Sequence, residues 1–318
     1  MKKLLGFLML SVTTLIAQSP VVDNFERRII SRGDNRPDFN VSGQEGYTQL
    51  IVALHLGVAP EDFQKSARWS PSDFTERIEF LREKNFVHQR QGRWLPSCMV
   101  ITDQQGAELY RHAEPLARAI ADAVAANLDT VRTQYGRTEL SRTIGFETAS
   151  FLILSNVLLD NWQIFNVERD FLGSERPLRH GKRYYLSFQE NLRRPREAFG
   201  LYGNGYVNNC AVYGNNRNTI DQERLQERLG TIPVVSPADS ELFNQMAGTF
   251  TPSLVGLLKR ERPYIDKVFR VTGYADEVTF EEFFIWWYHF IYTKATDILA
   301  ERGLLSIPVD GNFFYRQP

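Results

Sequence analysis

Cysteine is scarce: Cys98 and Cys210 are the only two in 318 residues. That excludes a disulfide-dense scaffold. In an oxidising compartment the two pair, tying the N-terminal region to the middle of the chain. The other reading is two buried free thiols. The motifs of common chemistries are missing as well. There is no Cys-x-x-Cys pair and no His-Glu-x-x-His, and His55, His88, His112, His180 and His289 are scattered, so no metal site is expected. There is no Gly-x-Ser-x-Gly elbow, and neither cysteine stands in a catalytic signature. Gly203-Asn204-Gly205 lacks a third glycine, a following helix and a preceding parallel-strand unit, so no nucleotide cofactor, and no cofactor of any kind, is expected.

A surplus of one charge is absent too. There are 37 basic and 38 acidic side chains, a net charge of −1. Losing Lys2 and Lys3 would make the balance more acidic, which leaves no overall electrostatic footprint for a polyanion. Hydrophobic runs of membrane-spanning length, about 20 residues, do not occur. The apolar stretch Leu4–Ile16 falls short. Preceded by Lys2 and Lys3 and followed by Ala17-Gln18-Ser19, it reads as a secretory leader over residues 1–19, and the protein is expected to be exported to a periplasm or the extracellular space. The alternative is a buried N-terminal helix. No cysteine follows the run, so no lipid anchor is expected.

What is present is ample core material: 43% hydrophobic and 13% aromatic residues with an ordinary 24% charged, enough for two packed units. Residues 20–42 look like a linker with one helical turn, Gly33, Asp34, Asn35 and Pro37 being clustered turn formers. Tyr47, Leu50, Ile51 and Leu54 fall at helix spacing, and Pro60–Ser66 reads as a second short helix. Ser70-Pro71-Ser72-Asp73 is a strong helix start, followed by the stripe Phe74, Ile78, Leu81. The stretch Leu81–Pro96 then reads as a helix end, a stop at Asn85, a strand, a tight turn at Gln91-Gly92 and a returning strand. The C-terminal segment Leu299–Arg316 has a similar grammar, with a hairpin expected over Leu304–Tyr315.

Helix, helix, capped helix and hairpin, on Phe74–Leu81, Asn85-Phe86-Val87 and Arg93-Trp94-Leu95, resembles the winged-helix family of DNA-binding domains. The resemblance implies a third helix in the major groove and a wing on the phosphate backbone. That helix carries Asp73, Glu76, Glu79 and Glu83 against Arg77, Arg82 and Lys84, which repels phosphate, so nucleic acid is not the expected partner. The wing's His88, Arg90 and Arg93 are equally suited to a solvated edge.

Downstream, Asp103–Arg111 reads as helix and Pro115 as the start of another, with a seam of Leu116, Ile120, Val124 and Leu128. The seam is a candidate homodimer interface, or else it packs on its own domain. Phe146–Trp162 is apolar nearly all round and is expected to be the spine of the central region. Tyr202-Gly203-Asn204 and Tyr213-Gly214-Asn215 recur and are read as two turns flanking a short strand, Val207–Val212. Amides and aromatic faces bind sugars and peptides, so Tyr202, Asn204, Tyr206, Asn208, Asn209, Tyr213, Asn215 and Asn216 form the candidate ligand surface, against the plainer reading of ordinary turns. Ser236-Pro237 and Thr251-Pro252 open two further helices, and Thr279 with Glu282 has capping-box spacing before an aromatic helix, Phe280–Arg302. His289 on that helix lies about 11 Å of rise from Glu282, too far for a direct pair, and reads as a core histidine.

The expectation is a mainly α protein with small β-hairpins (α+β). A leader (1–19) and linker (20–42) precede a winged-helix-like domain with a long following helix (43–135). A central helix with the Asn/Gly/Tyr region (136–235) and a C-terminal helical domain ending in a second winged-helix-like hairpin (236–318) complete it, so that winged-helix-like units stand at both ends of a helical central region. The expected function is that of an exported, non-catalytic binding or assembly protein. The alternatives are a DNA-binding regulator and an enzyme of unrecognised type.

Overall fold

The computed structural model describes residues 24–317 apart from 34, 36, 38, 39, 44, 45, 193–200, 208, 209, 216–219 and 221. The expected leader therefore lies outside the described residues. In chain order the first elements are β1 (Phe25–Ile30), α1 (Tyr47–His55), α2 (Pro60–Ala67), α3 (Pro71–Glu83), β2 (Val87–Arg90), β3 (Arg93–Pro96) and β4 (Met99–Ile101). Then come α4 (Asp103–Ala126), α5 (Leu128–Tyr135), α6 (Phe146–Ser150) running into a π-helical stretch (Phe151–Val157), α7 (Ile164–Val167), β5 (Leu178–Arg179), β6 (Lys182–Arg183) and β7 (Tyr185–Glu190). The last are β8 (Tyr202–Val207), β9 (Cys210–Asn215), α8 (Gln222–Arg228), α9 (Pro237–Arg260), α10 (Arg262–Val271), α11 (Phe280–Glu301) and β10 (Asn312–Tyr315). The protein is mainly helical with small sheets, as the sequence implies.

Local signals place the N-terminal elements well. Ser70 caps α3 in a reciprocal box with Asp73, Asn85 stops it at φ 60, and Gln91 and Gly92 take φ 51 and 78 between β2 and β3. Two positive φ values at the centre of a two-residue loop match the twist of a hairpin. The residues read as a linker instead carry β1. Its partner is β7, from Phe25↔Glu190 to Ile30↔Tyr185, and β4 lies parallel on the other edge of β7. A strand paired with a segment so far downstream leaves no local signature.

Two main cores result. The first surrounds α1, α3 and the sheet, with Leu50, Ile51, Leu81, Phe86, Leu186 and Phe188 buried. The larger one is built on α11, where Phe283, Phe284, Trp287, Phe290 and Ile291 are all fully buried. The spine Phe151–Val157 is buried at every position, and α4 packs along α11.

Several expectations are corrected. Pro115 does not open a helix: α4 runs through it. Proline removes the helix hydrogen bond to the carbonyl four residues back, here that of Arg111, and clashes with the preceding turn; outside donors bind carbonyls on either side of that one. Trp287 Nε1 donates to the Leu109 carbonyl (2.9 Å), Lys294 to that of Tyr110 (3.3 Å) and Tyr264 Oη to that of His112 (2.8 Å). Likewise α9 continues through Thr251-Pro252, where the Thr251 hydroxyl donates back to the Ala247 carbonyl. The seam is not a free surface. Leu116, Ile120 and Val124 are at most 1% exposed within the central core, and Leu128 is half-buried against it. Ile120→Glu is therefore expected to cost several kcal/mol and to lower the unfolding midpoint followed by circular dichroism. A variant as stable as the wild type would contradict this packing.

There is no C-terminal hairpin over Leu304–Tyr315. Only β10 forms there, and its partner is β9, from Asn312↔Gly214 to Tyr315↔Ala211. The two cysteines do not pair. Both are free and buried, Cys98 in the N-terminal core and Cys210 in a small third cluster with Leu225 and Ile232.

Candidate functional site

The repeated Tyr-Gly-Asn triplets are not turns. They are the paired ends of β8 and β9, with Tyr202↔Asn215, Gly203↔Gly214 and Asn204↔Tyr213. Glycine at 214 is required by β10: a Cβ there would lie 2.1 Å from Asn312 Oδ1 and 2.5 Å from the Gly311 carbonyl oxygen. The hairpin inserts side chains between the spine and α11. Tyr213 is fully buried and shares a short hydrogen bond with Ser155 Oγ, which also meets Thr296 Oγ1 at 2.6 Å. Tyr202 is buried and donates to Asp297 (2.7 Å).

Where β8 meets the end of the spine, a polar cluster forms. Asn156 and Asn204 exchange amide hydrogen bonds of 2.9 and 3.0 Å, and Asn204 Nδ2 also donates to Asp160 Oδ2 at 2.8 Å. From α11, His289 points to the same place. Its Nδ1 lies 2.8 Å from the Ile285 carbonyl, which can only accept, so Nδ1 carries the proton. That leaves Nε2 as an acceptor, 3.9 Å from Asp160 Oδ1. Burial pushes the Asp160 carboxyl up to about 7, against the hydrogen bonds from Tyr292 and Asn204. Burial also pulls the His289 imidazole down to about 4, against its bond to Ile285. Both groups therefore resist charge.

Asp160 and His289 face a cleft of about 970 Å³, a size that suits a small organic ligand. One wall is β1 and the residues after it, carrying Arg27, Arg28 and Arg32; Arg176 joins them. Arg28 is held by Glu26 at 2.6 Å and Arg176 by Glu168 at 2.8 Å. Arg27 donates only to the neutral Asn40 amide (2.5 Å), and Arg32 lies 4.6 Å from the Phe165 ring centroid. Neither has a carboxylate partner among the described residues. Trp162, Phe165, Tyr206 and Trp286 give the cleft aromatic surface, and Asn161, Asn166, Asn204, Asn244 and Gln189 give it carboxamides.

Of the residues singled out in the sequence, Asn204 and Tyr206 line this cleft. Tyr202 and Tyr213 belong to the core, Asn215 ends β9, and Asn208, Asn209 and Asn216 lie outside the described residues. Asp160, Arg27 and Arg32 were missed. For Asp160 a signal existed: it is the one acid within Phe151–Trp162, a run that is otherwise apolar but for Ser155, Asn156 and Asn161. The arginines gave none, because they stood in what read as a linker. No group of three His, Cys, Asp or Glu among the described residues could hold a metal ion. No helix among them is long and apolar enough to cross a membrane. No protein-family model, curated protein or solved structure matches the chain.

Proposed function

We propose that the protein is an exported binding protein that holds a small polar anion in the cleft between β1, β8 and α11. The observation that carries this is a pair of guanidinium groups, Arg27 and Arg32, that have no carboxylate partner among the described residues, on a cleft whose floor is built from buried hydrogen-bonding side chains. A cleft wall that gathers Arg27, Arg28, Arg32 and Arg176, two of them without a carboxylate partner among the described residues, offers a local site for negative charge. The N-terminal unit, α1 to β3, is winged-helix-like in this reading and serves as scaffold.

A nucleic-acid role is disfavoured by the wing itself. Arg90 bonds the Ala275 carbonyl (3.1 Å) and Asp276 (2.9 Å), and His88 reaches the Asp276 carbonyl (3.3 Å), so the hairpin is docked on its own chain. Export rests on residues 1–19 and is checked by N-terminal sequencing of the secreted protein: a mature chain beginning near residue 18–20 is expected. The binding reading is tested by calorimetry with small organic anions. Reversing both charges (Arg27→Glu with Arg32→Glu) is expected to weaken binding at least about tenfold per arginine, about 1.4 kcal/mol each. Unchanged affinity would reject the cleft as an anion site.

A further inference from the structure

We infer that the gap between Asp160 and His289 is a hydroxyl-binding subsite, so that the cleft's ligand is a hydroxylated organic anion of the sugar-acid type. This rests on the cleft being the anion site. The geometry is specific. The 3.9 Å between Asp160 Oδ1 and His289 Nε2 exceeds a hydrogen bond, but one oxygen atom about 2.8 Å from each fits between them. His289 is 7% exposed and Asp160 4%. Both orientations are fixed from behind, by Ile285 for the imidazole and by Asn204 for the carboxyl. Nε2 has no hydrogen-bond partner among the described residues and is turned into the cavity.

The donor and acceptor pattern selects the guest. With Nδ1 protonated, Nε2 only accepts. A neutral Asp160 presents an O–H. A hydroxyl group both donates and accepts, so it satisfies both sides at once; a carboxylate or a methyl group cannot. When Asp160 ionises, both sides become acceptors and the hydroxyl can serve only one of them. Because the Asp160 carboxyl is held up at about 7, this change falls near neutral pH, and affinity is expected to fall as pH rises.

The other groups around Asp160 do not titrate in that range. Tyr288 and Tyr292 on α11 and Tyr213 on β9 are raised well above their ordinary value by burial, and Tyr315 on β10 is raised by the same cause. Asn156 and Asn204 are neutral amides, and the charged side chains that line the cleft beside Asp160 are Arg27, Arg28, Arg32 and Arg176.

The test is titration calorimetry with gluconate and hexanoate, six-carbon acids with and without hydroxyl groups, at about pH 6 and about pH 8.5. Gluconate is expected to bind at least about tenfold tighter than hexanoate at the lower pH and to lose most of that advantage at the higher. Asp160→Asn keeps an amide oxygen for Asn204 and an N–H for the ligand, and is expected to retain gluconate binding with a flat pH profile. His289→Leu removes the acceptor and is expected to bring gluconate down to the level of hexanoate, which guards against misfolding of the first variant. Equal affinity for the two probes, both sensitive to Arg27→Glu, overturns the hydroxyl subsite and leaves the anion site standing. A cleft that takes neither probe at millimolar concentration overturns both.

Discussion

Glu282→Ala is expected to cost about 3–5 kcal/mol of unfolding free energy, a buried ion pair having lost one partner. Glu282 and Arg179 are each 1% exposed and meet at 2.5 Å. The carboxylate also accepts from the Leu186 backbone at 3.1 Å. The guanidinium donates to the Tyr184 carbonyl at 2.7 Å and to that of Ser97. One pair thus fastens the first turn of α11 to β5, to the segment leading out of β3, and to β7. With Glu282 gone, a guanidinium remains in the core without a counter-charge. Replacing both residues by methionine is expected to recover much of the loss, because the desolvation cost disappears with the charges. Urea unfolding followed by two probes checks both, and a single variant within about 1 kcal/mol of wild type would refute the account.

The second large effect concerns His55 and is pH-dependent. Its Nδ1 lies 2.8 Å from Glu277, and its Nε2 lies 2.9 Å from Gln105 Oε1. That oxygen already accepts from the Thr102 backbone N–H at 3.1 Å, so it is an acceptor for His55 as well. Acceptors on both sides require both ring nitrogens to carry hydrogen, which makes His55 an imidazolium. Burial opposes the charge, but the hydrogen bond and Coulomb attraction of Glu277, with Gln105, outweigh it and raise the pKa.

A raised folded-state value contributes stability that is complete below the unfolded value of about 6.5 and is lost as pH rises through the folded one. Stability is therefore expected to fall as pH rises above about 6.5. His55→Leu is expected to remove His55's share of that fall and, by leaving Glu277 alone, to cost about 3 kcal/mol at pH 6. Asp160, with its carboxyl held at about 7, acts in the same direction, so the variant's curve is flattened but not level. His289 lies at about 4 and matters only in acid. Identical pH profiles for variant and wild type would show that the His55 contact carries no proton linkage.

Short-range rules reached far into this fold. Ser70, Asn85, Gln91-Gly92, Ser236 and Thr279 each act on backbone within a few residues, and all five mark element boundaries. The apolar runs Phe151–Val157 and Phe283–Ile291 became the core because no other placement hides so continuous an apolar surface. At Thr279 the local rule holds by half. Its hydroxyl accepts from the Glu282 N–H at 3.3 Å, but the Glu282 side chain, which would complete the box, turns away to Arg179. Local spacing gave the cap, and a distant cation took the carboxylate.

The cleft was only partly legible. Asn204 and Tyr206 were visible as surface chemistry, but the partners that give Asn204 its role, Asn156 and Asp160, lie on another element and meet it only after folding. His289 was visible without a partner, since no acid stands one turn from it on its own helix and Asp160 approaches from across the core.

By itself the sequence determined most of the helical segments, their caps, the turn at Gln91-Gly92 and which segments must be buried, because those depend on backbone preferences and on the cost of leaving apolar surface in water. The tertiary structure alone decided three further matters. It carried α4 and α9 through prolines, α4 beside donors from neighbouring elements; it turned a presumed linker into β1 and its arginine wall; and it set Asp160 opposite His289. Each depends on groups far apart in the chain coming within hydrogen-bonding or packing distance, and spacing along one strand of sequence does not encode that distance.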